Sequence, residues 1–398
     1  MVIRNSDSFL NQARDQTEEV LKKARGVVLP AQIKDQVLLG IDGYIDNIIS
    51  VIRVRHSHLE YEVIENIAEW AERIAQSAGS STSIERIIRK VSAGGFTCNV
   101  GKALSTLCGR TQNIHLIGAF GVPVMMDLFQ EQLVDTYQCV AYSVGNPGQT
   151  DAYEFSDGKI MMSNFENINR LDWKQILSYL KLEFLINEFE ASQLWGLGYW
   201  SASPHLSEIF SALQKNILPN LSISSKNKFL ILDLSDLKKK PRSQMNELIN
   251  LLRHFEDYVQ TVLFLNDREL EDLGSGLQET SSKDPLTLTQ LIQQNLNLSF
   301  VIAHSPKMAA IASERTQNII LNAFTSAPQF TTSAGDHFSA GVSYAMLAKF
   351  PVEILPLLGN CAASFFVRKG SSPTSQDLKQ FLTHYINYLE QDVPSNLT

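Results

Sequence analysis

The sequence predicts an α/β fold with a mostly parallel central sheet flanked by helices on both faces. Three observations carry this expectation. Short apolar runs recur at Val37–Ile41, Phe229–Leu232, Val262–Leu265 and Phe300–Ala303, and none alternates polar with apolar. Strands covered on both faces read this way, whereas strands with one wet face alternate. Helical stretches such as Met245–Phe255 lie between the runs, the pattern of parallel strands joined by crossovers. The runs also end in polar residues, among them Asp42, Asp233, Asn266 and Asp267. Sheets of this kind bind ligands just beyond the C-terminal ends of their strands.

The elements follow in order. Residues 1–35 read as a helical extension outside the core, with sparse apolar positions and with Gly26 and Pro30 at its end. The strand Val37–Ile41 runs into a loop carrying Asp42 and Asp46. From Leu59 to Lys90 the pattern is helical, with Leu59, Val63, Ile67, Trp70, Ala71 and Ile74 near one stripe; GSSTS breaks it and IERIIRKV resumes it. SAGGFTCNVGKALSTLC is a loop leading into a helix, and NIHLIGAFG is a strand with a glycine-bounded turn. Between Val140 and Asn164, strand-like alternation around GNPG and SDGK predicts hairpins. LWGLGYW reads as a strand and turn, and Ser222–Lys228 and Gly274–Thr289 as polar surface loops.

Composition excludes several functional classes. With 34 Lys+Arg against 42 Asp+Glu the chain carries a net charge of −8, and a non-specific nucleic-acid binder needs the opposite balance. No apolar stretch is long enough to span a bilayer, and the opening residues contain no apolar signal region. The four cysteines are scattered without a CxxC pair, which predicts free thiols in a reducing cytoplasm.

Three motifs carry chemistry. In TTSAGDHFSAGVSYAMLAKF, the small residues Ser333, Ala334 and Gly335 lead into a helix near Asp336. A turn of this kind exposes backbone N–H groups at the positive end of a helix and forms an anion site. Asp336 suits either helix capping or catalysis. Asn266 and Glu269, three apart after an apolar strand, can hold magnesium and its waters beside phosphate oxygens, or can form a capping box. Gly94-Gly95, with Asn99 four residues on, lets backbone approach a ligand closely and offers an amide to it; a tight turn with a cap is the simpler alternative. Other patterns fall short. Gly95 to Gly101-Lys102 has five residues between its glycines instead of the four of a P-loop. GLGYWS is missing the last glycine of a dinucleotide fingerprint, the histidines show no metal spacing, and His337 beside Asp336 cannot form a dyad on a helix.

Taken in order, Asp46, GG-xxx-N, GAFG, the hairpins, NxxE and AGD-x-F-x-AG resemble the ribokinase-like (PfkB) family of carbohydrate and nucleoside kinases, from about Val37 to about Ser371. The resemblance implies a kinase domain over residues 36–398, with small β-lid elements within 47–60 and 139–165. It implies transfer of the ATP γ-phosphoryl group to a hydroxyl of a sugar or sugar-like acceptor with Mg2+. Asp336 matches the general base, and Ser333, Ala334 and Gly335 the anion hole. Asn266 and Glu269 match the pair that organises phosphate and, through water, magnesium. Asp46, Gly94, Gly95 and Asn99 match acceptor-binding positions. The implied partners are a small sugar or nucleoside and a nucleotide, with a homodimer left open and with neither nucleic acid nor membrane. Phe330 and Ser333 stand where the family usually has Asp and Gly, and HSPKMAA contains no glycine where the family has a Gly-rich turn. The competing expectations are a nucleoside kinase, with Tyr44, Phe96 or Trp200 stacking on a base, and a non-catalytic ligand sensor built on the same fold.

Overall fold

The computed structural model describes residues 3–222, 226–277 and 284–391. Fourteen strands are present among them. β1 (Gln36–Gly40), β5 (Ile114–Gly118), β6 (Val140–Ser143), β9 (Ser192–Leu197), β10 (Phe229–Asp233), β11 (Gln260–Asn266), β12 (Phe300–His304), β13 (Met308–Ala312) and β14 (Gln317–Leu321) form one sheet. The remaining strands, β2 (Tyr44–Arg55), β3 (Tyr61–Val63), β4 (Arg86–Gly94), β7 (Gly148–Phe155) and β8 (Gly158–Asn164), form a second, smaller one.

The large sheet has the order β14-β13-β12-β11-β10-β9-β1-β5-β6. It is parallel from β12 through β6, and β13 and β14 close its far edge antiparallel. The four non-alternating runs fall on β1, β10, β11 and β12 as expected. Val37, Leu39, Ile231, Leu232, Val262, Leu263, Val301 and Ile302 are all essentially inaccessible, because helices cover both faces. One core layer includes the helices Phe96–Leu107, Ala334–Leu347 and Leu355–Lys369, and the other includes Leu206–Asn216, Arg242–Glu256 and Pro285–Leu296.

The N-terminal helix, Ile3–Ala24, is not an appendage. Val20, Leu21 and Ala24 are buried in the core. Gln16 Oε1 accepts from Ile319 N, and Thr17 Oγ1 accepts from Leu321 N, both at 2.9 Å. These two side chains satisfy ladder donors that β14 would otherwise leave open at the sheet edge. The sparse apolar pattern arises because the helix covers an edge with polar contacts rather than a face with a broad stripe.

Three further expectations are corrected. Asp46 lies within β2, not in a loop, paired with Ser92 of β4 and Thr150 of β7. The helical reading of 59–90 holds only for Ile67–Gln76; IERIIRKV falls largely on β4. The β-branched Ile87, Ile88 and Val91 suit a strand, and pairing with the 12-residue β2 overrides the weak helical period. Gly274–Leu277 and Pro285–Thr289 are helical, in Asp267–Leu277 and Pro285–Leu296, rather than loop. Residues 278–283, like residues 223–225 of the other expected loop, lie outside the described residues.

The small sheet, ordered β3-β2-β7-β8 with β4 also on β2, stands over the C-terminal ends of the large one. The β7–β8 hairpin turns at SDGK as expected, but GNPG makes no hairpin: β6 before it belongs to the large sheet and β7 after it to the small one.

Candidate active site

A cavity of about 480 Å3 opens between the two sheets. Of the residues singled out from sequence, Asp46, Gly95, Asn99, Asn266, Glu269, Ser333, Ala334, Gly335 and Asp336 all line it. Gly94 does not, and contributes by leaving space: a Cβ there would sit 1.8 Å from Asp46 Oδ2. Gly95 has φ +93°, which only glycine adopts readily. A Cβ on it would meet Asp42 Oδ2 at 2.6 Å.

Asp42 caps the helix Phe96–Leu107 from a distance. Its Oδ2 accepts from Phe96 N and its Oδ1 from Thr97 N, both at 2.8 Å. Asp42 is thus structural, and it leaves Asp46 as the carboxylate facing the cavity. Burial pushes the Asp46 carboxyl up to about 6, against the opposing pull of the Lys102 ammonium.

Asp336 sits in the first turn of the helix Ala334–Leu347, 3% exposed. It does not cap that helix: the cap position is Ser333, and no side chain satisfies the N-terminal donors there. Instead Asn99 Nδ2 donates to Asp336 Oδ2 at 3.0 Å, and Tyr199 OH lies 3.1 and 3.2 Å from the two carboxylate oxygens. Burial, then the nearby Asp233 charge, raise the Asp336 carboxyl to about 8, while the Asn99 and Tyr199 contacts pull the other way. Ser333 has φ +69°. It holds the left-handed turn that glycine would adopt freely, at a backbone cost of about 1–2 kcal/mol. Ala334 N donates to Thr331 O at 3.4 Å, and the N–H groups of Gly335 and Asp336, which also line the cavity, can bind an anion.

Asn266 and Glu269 form the capping box. Asn266 Oδ1 accepts from Glu269 N at 3.0 Å, and Glu269 Oε2 accepts from Asn266 N at 2.9 Å. The box and the cavity are compatible, since both side chains also line the cavity. Burial is the main cause of the raised Glu269 carboxyl and of the raised Asp233 carboxyl; the Glu269 charge adds to the latter. Two buried acids held this way favour a cation beside them. Among the described residues no group of three or more His, Cys, Asp or Glu side chains could hold a metal directly.

Sequence reasoning missed Tyr199 and His304. Tyr199 follows β9 at φ +57° and packs its ring on Phe96; its only sequence signal is the polar ring following the GLG turn. His304 ends β12 and opens the HSPKMAA segment. It stacks on Phe338 with ring centroids 4.7 Å apart, and burial lowers its pKa to about 4. A Cβ on Gly335 would meet its ring at 3.2 Å. His337 serves packing and polar contacts: Nδ1 bonds Ser333 O and Nε2 bonds Ser372 Oγ, at 2.8 and 2.9 Å. Phe330 packs on Phe366 and over Gly370, so an apolar contact takes the place of the family's acid. Of the three aromatic stacking candidates only Tyr44 faces the cavity. Phe96 and Trp200 are buried, at 0% and 1% exposure. No helix among the described residues is long and apolar enough to cross a membrane.

The fold and the cavity can be compared with known proteins. The model of the prokaryotic ketohexokinase family matches residues 13–385. A ketohexokinase of Haloferax volcanii is 31% identical over 358 residues, covering 89% of this chain and 92% of that protein. Among solved structures, the Arabidopsis thaliana ribokinase complexed with ribose and ATP superposes with a TM-score of 0.61 at 17% identity, covering 88% of this chain and 99% of its own. A ribokinase from Thermotoga maritima gives 0.59 at 15% identity, with the same coverages. The large parallel sheet and the small sheet above it give the fold, the matched family establishes a phosphotransferase that acts on a sugar hydroxyl, and the chain belongs to the prokaryotic ketohexokinase family.

Proposed function

We propose that this protein transfers the γ-phosphoryl group of ATP to a hydroxyl of a ketohexose, with Asp336 as the general base. The observation that carries this reading is the Asp336 carboxylate. It is buried at the mouth of an uncapped helix N-terminus and held by Asn99 and Tyr199. It shares one cavity with Asp46, which this reading assigns to the acceptor, and with Asn266 and Glu269, which it assigns to the phosphates. A carboxylate so placed can take the proton of an acceptor hydroxyl as oxygen attacks phosphorus. In this reading the N–H groups of Ser333, Gly335 and Asp336 neutralise the charge that builds on the phosphoryl oxygens, while the Ala334 N–H donates to Thr331 O. Phosphoryl transfer asks mainly for such positioning and neutralisation.

At the acceptor end, Asp46 can accept from two adjacent hydroxyls, and Gly94 and Gly95 let backbone close over the ring. At the phosphate end, Glu269 and Asn266 would hold the water shell of Mg2+, which supplies charge neutralisation to the β- and γ-phosphates. The ketohexose assignment rests on the Haloferax relative and its family. Four buried, unpaired cysteines support a reducing, cytoplasmic setting.

Nucleotide consumption measured with magnesium against ketohexoses, aldohexoses, pentoses and nucleosides tests the reading. Turnover should be highest with a ketohexose; a nucleoside or pentose giving the highest kcat/KM would replace it. A second expectation concerns Glu269→Gln. Glutamine can keep the capping box while removing the charge. The variant should therefore melt within a degree or two of wild type but need roughly tenfold more magnesium for half-maximal rate, about 1.4 kcal/mol. A lowered melting temperature with unchanged magnesium dependence would reduce Glu269 to a helix cap.

A further inference from the structure

The cavity is crowded with acids. Asp46, Asp233, Glu269 and Asp336 line it, against Lys159 and Lys239 as the lining cations among the described residues. A transferring phosphoryl group spreads negative charge over its equatorial oxygens, so four carboxyl groups around it oppose the reaction unless cations reach the same place. The Lys239 ammonium stands 5.8 Å over the ring of Phe165. Lys159 is directed elsewhere. It lies on β8, an edge strand of the small sheet, and its Nζ donates to Thr332 Oγ1 at 2.6 Å. Thr332 immediately precedes Ser333, so the lysine bridges the small sheet to the start of the anion-binding turn. Its charge faces Glu154 on its own hairpin, and Asp336 and Asp46 across the cavity. Burial lowers its pKa from the ordinary lysine value, a cost that a surface latch would not need to bear.

We propose that Lys159 is a catalytic residue supplied by the small sheet: its ammonium leaves Thr332 to contact the oxygens of the transferring phosphoryl group. The step rests on the Asp336 reading above. In it the acceptor oxygen forms a bond to the γ-phosphorus, and the bond from that phosphorus to the bridging oxygen breaks. ADP leaves with the bonding electrons, and the acceptor proton passes to Asp336. Lys159 keeps its proton throughout and contributes charge alone. Asp46 sits on β2 of the same small sheet. The small sheet therefore carries both the acceptor contact at Asp46 and the phosphoryl contact at Lys159.

The test uses Lys159→Ala, Lys159→Met and Lys159→Arg in the full chain. Loss of one preorganised donor to a developing charge lowers kcat by about 10²–10³-fold, so Lys159→Ala and Lys159→Met should fall in that range with ketohexose KM little changed. Lys159→Arg should recover at least tenfold. The methionine variant keeps the aliphatic stem, so a melting temperature near wild type separates lost charge from lost packing. Independently of any acceptor, calorimetry compares ADP alone with ADP plus magnesium and aluminium fluoride, a mimic of the phosphoryl group in flight. Wild type should bind the mimic more tightly than ADP, and Lys159→Met should lose at least tenfold of that preference with ADP affinity unchanged. A preference equal in wild type and variant, or a change confined to acceptor KM, overturns the proposal. If wild type turns over no ketohexose while the mimic preference still depends on Lys159, the acceptor assignment fails and the lysine stands.

Discussion

Asp336→Asn is expected to keep acceptor and nucleotide binding and to lower turnover by about 10²–10⁴-fold, the range for loss of a general base. The substitution is close to isosteric. The asparagine oxygen can still accept from Asn99 and Tyr199, which now bond the two carboxylate oxygens. What disappears is the capacity to take a proton. The raised carboxyl, at about 8 in the free protein, adds a signature in pH. A base works only when deprotonated, and kcat/KM reports the free enzyme, so wild-type kcat/KM should climb from pH 6 and level off above about pH 8.5, whereas the residual activity of Asp336→Asn should lack this rise. Stability moves in the opposite sense. The folded carboxyl lies near 8 against 3.8 for an ordinary one, so the folded state holds the proton more tightly. This group's contribution to folding is complete below about pH 4 and is lost as pH rises through 8. Ligand-free Asp336→Asn should therefore melt above wild type at pH 9, with the difference shrinking toward pH 4. A folded variant with wild-type turnover would return Asp336 to a structural role, and a flat wild-type profile would show the carboxyl ionised throughout.

This opposition between stability and reactivity also explains what was readable in the sequence. Residues whose local surroundings agree with their element were legible. The runs on β1, β10, β11 and β12 are apolar on both faces because both faces are buried, and no distant contact is needed to infer it. AGD and NxxE were legible as ambiguous pairs of roles, and the structure resolves them differently. Asp336 is no cap, because its oxygens are engaged by residues 237 and 137 positions away. Asn266 and Glu269 form a true capping box that also faces the cavity. What escaped depends on partners remote in sequence. IERIIRKV is a strand because β2 is there to pair with it. The N-terminal helix is integral because β14 presents open donors to Gln16 and Thr17. Tyr199 matters through a left-handed backbone that aims its hydroxyl at Asp336. None of these leaves a periodic trace in the sequence.

Asp46→Ala should separate the two ends of the cavity. Asp46 stands near the start of β2, between Ser92 and Thr150 on the flanking strands, with its carboxylate against Gly94. If it grips the acceptor, its removal leaves bound hydroxyls without an acceptor. Hydrogen bonds to charged groups are worth about 1.5–3 kcal/mol, or about ten- to more than a hundredfold in acceptor affinity. Nucleotide affinity measured alone should hardly change, because Asn266, Glu269 and the turn before Asp336 come from the other half of the chain. Gly94→Ala offers a second route to the same result. The added Cβ would fall 1.8 Å from Asp46 Oδ2, so the carboxylate must move while its charge remains. Its acceptor affinity should fall as far as that of Asp46→Ala. The double variant should be little worse than either single one, since contacting residues that act through one interaction are not additive. Calorimetry with ketohexose and with nucleotide, each titrated separately into the three variants, reads all of this. Unchanged acceptor binding in Asp46→Ala, or equal losses for both ligands, would remove Asp46 from the acceptor site. A fully additive double variant would show that Gly94 acts on the backbone rather than through the carboxylate it faces.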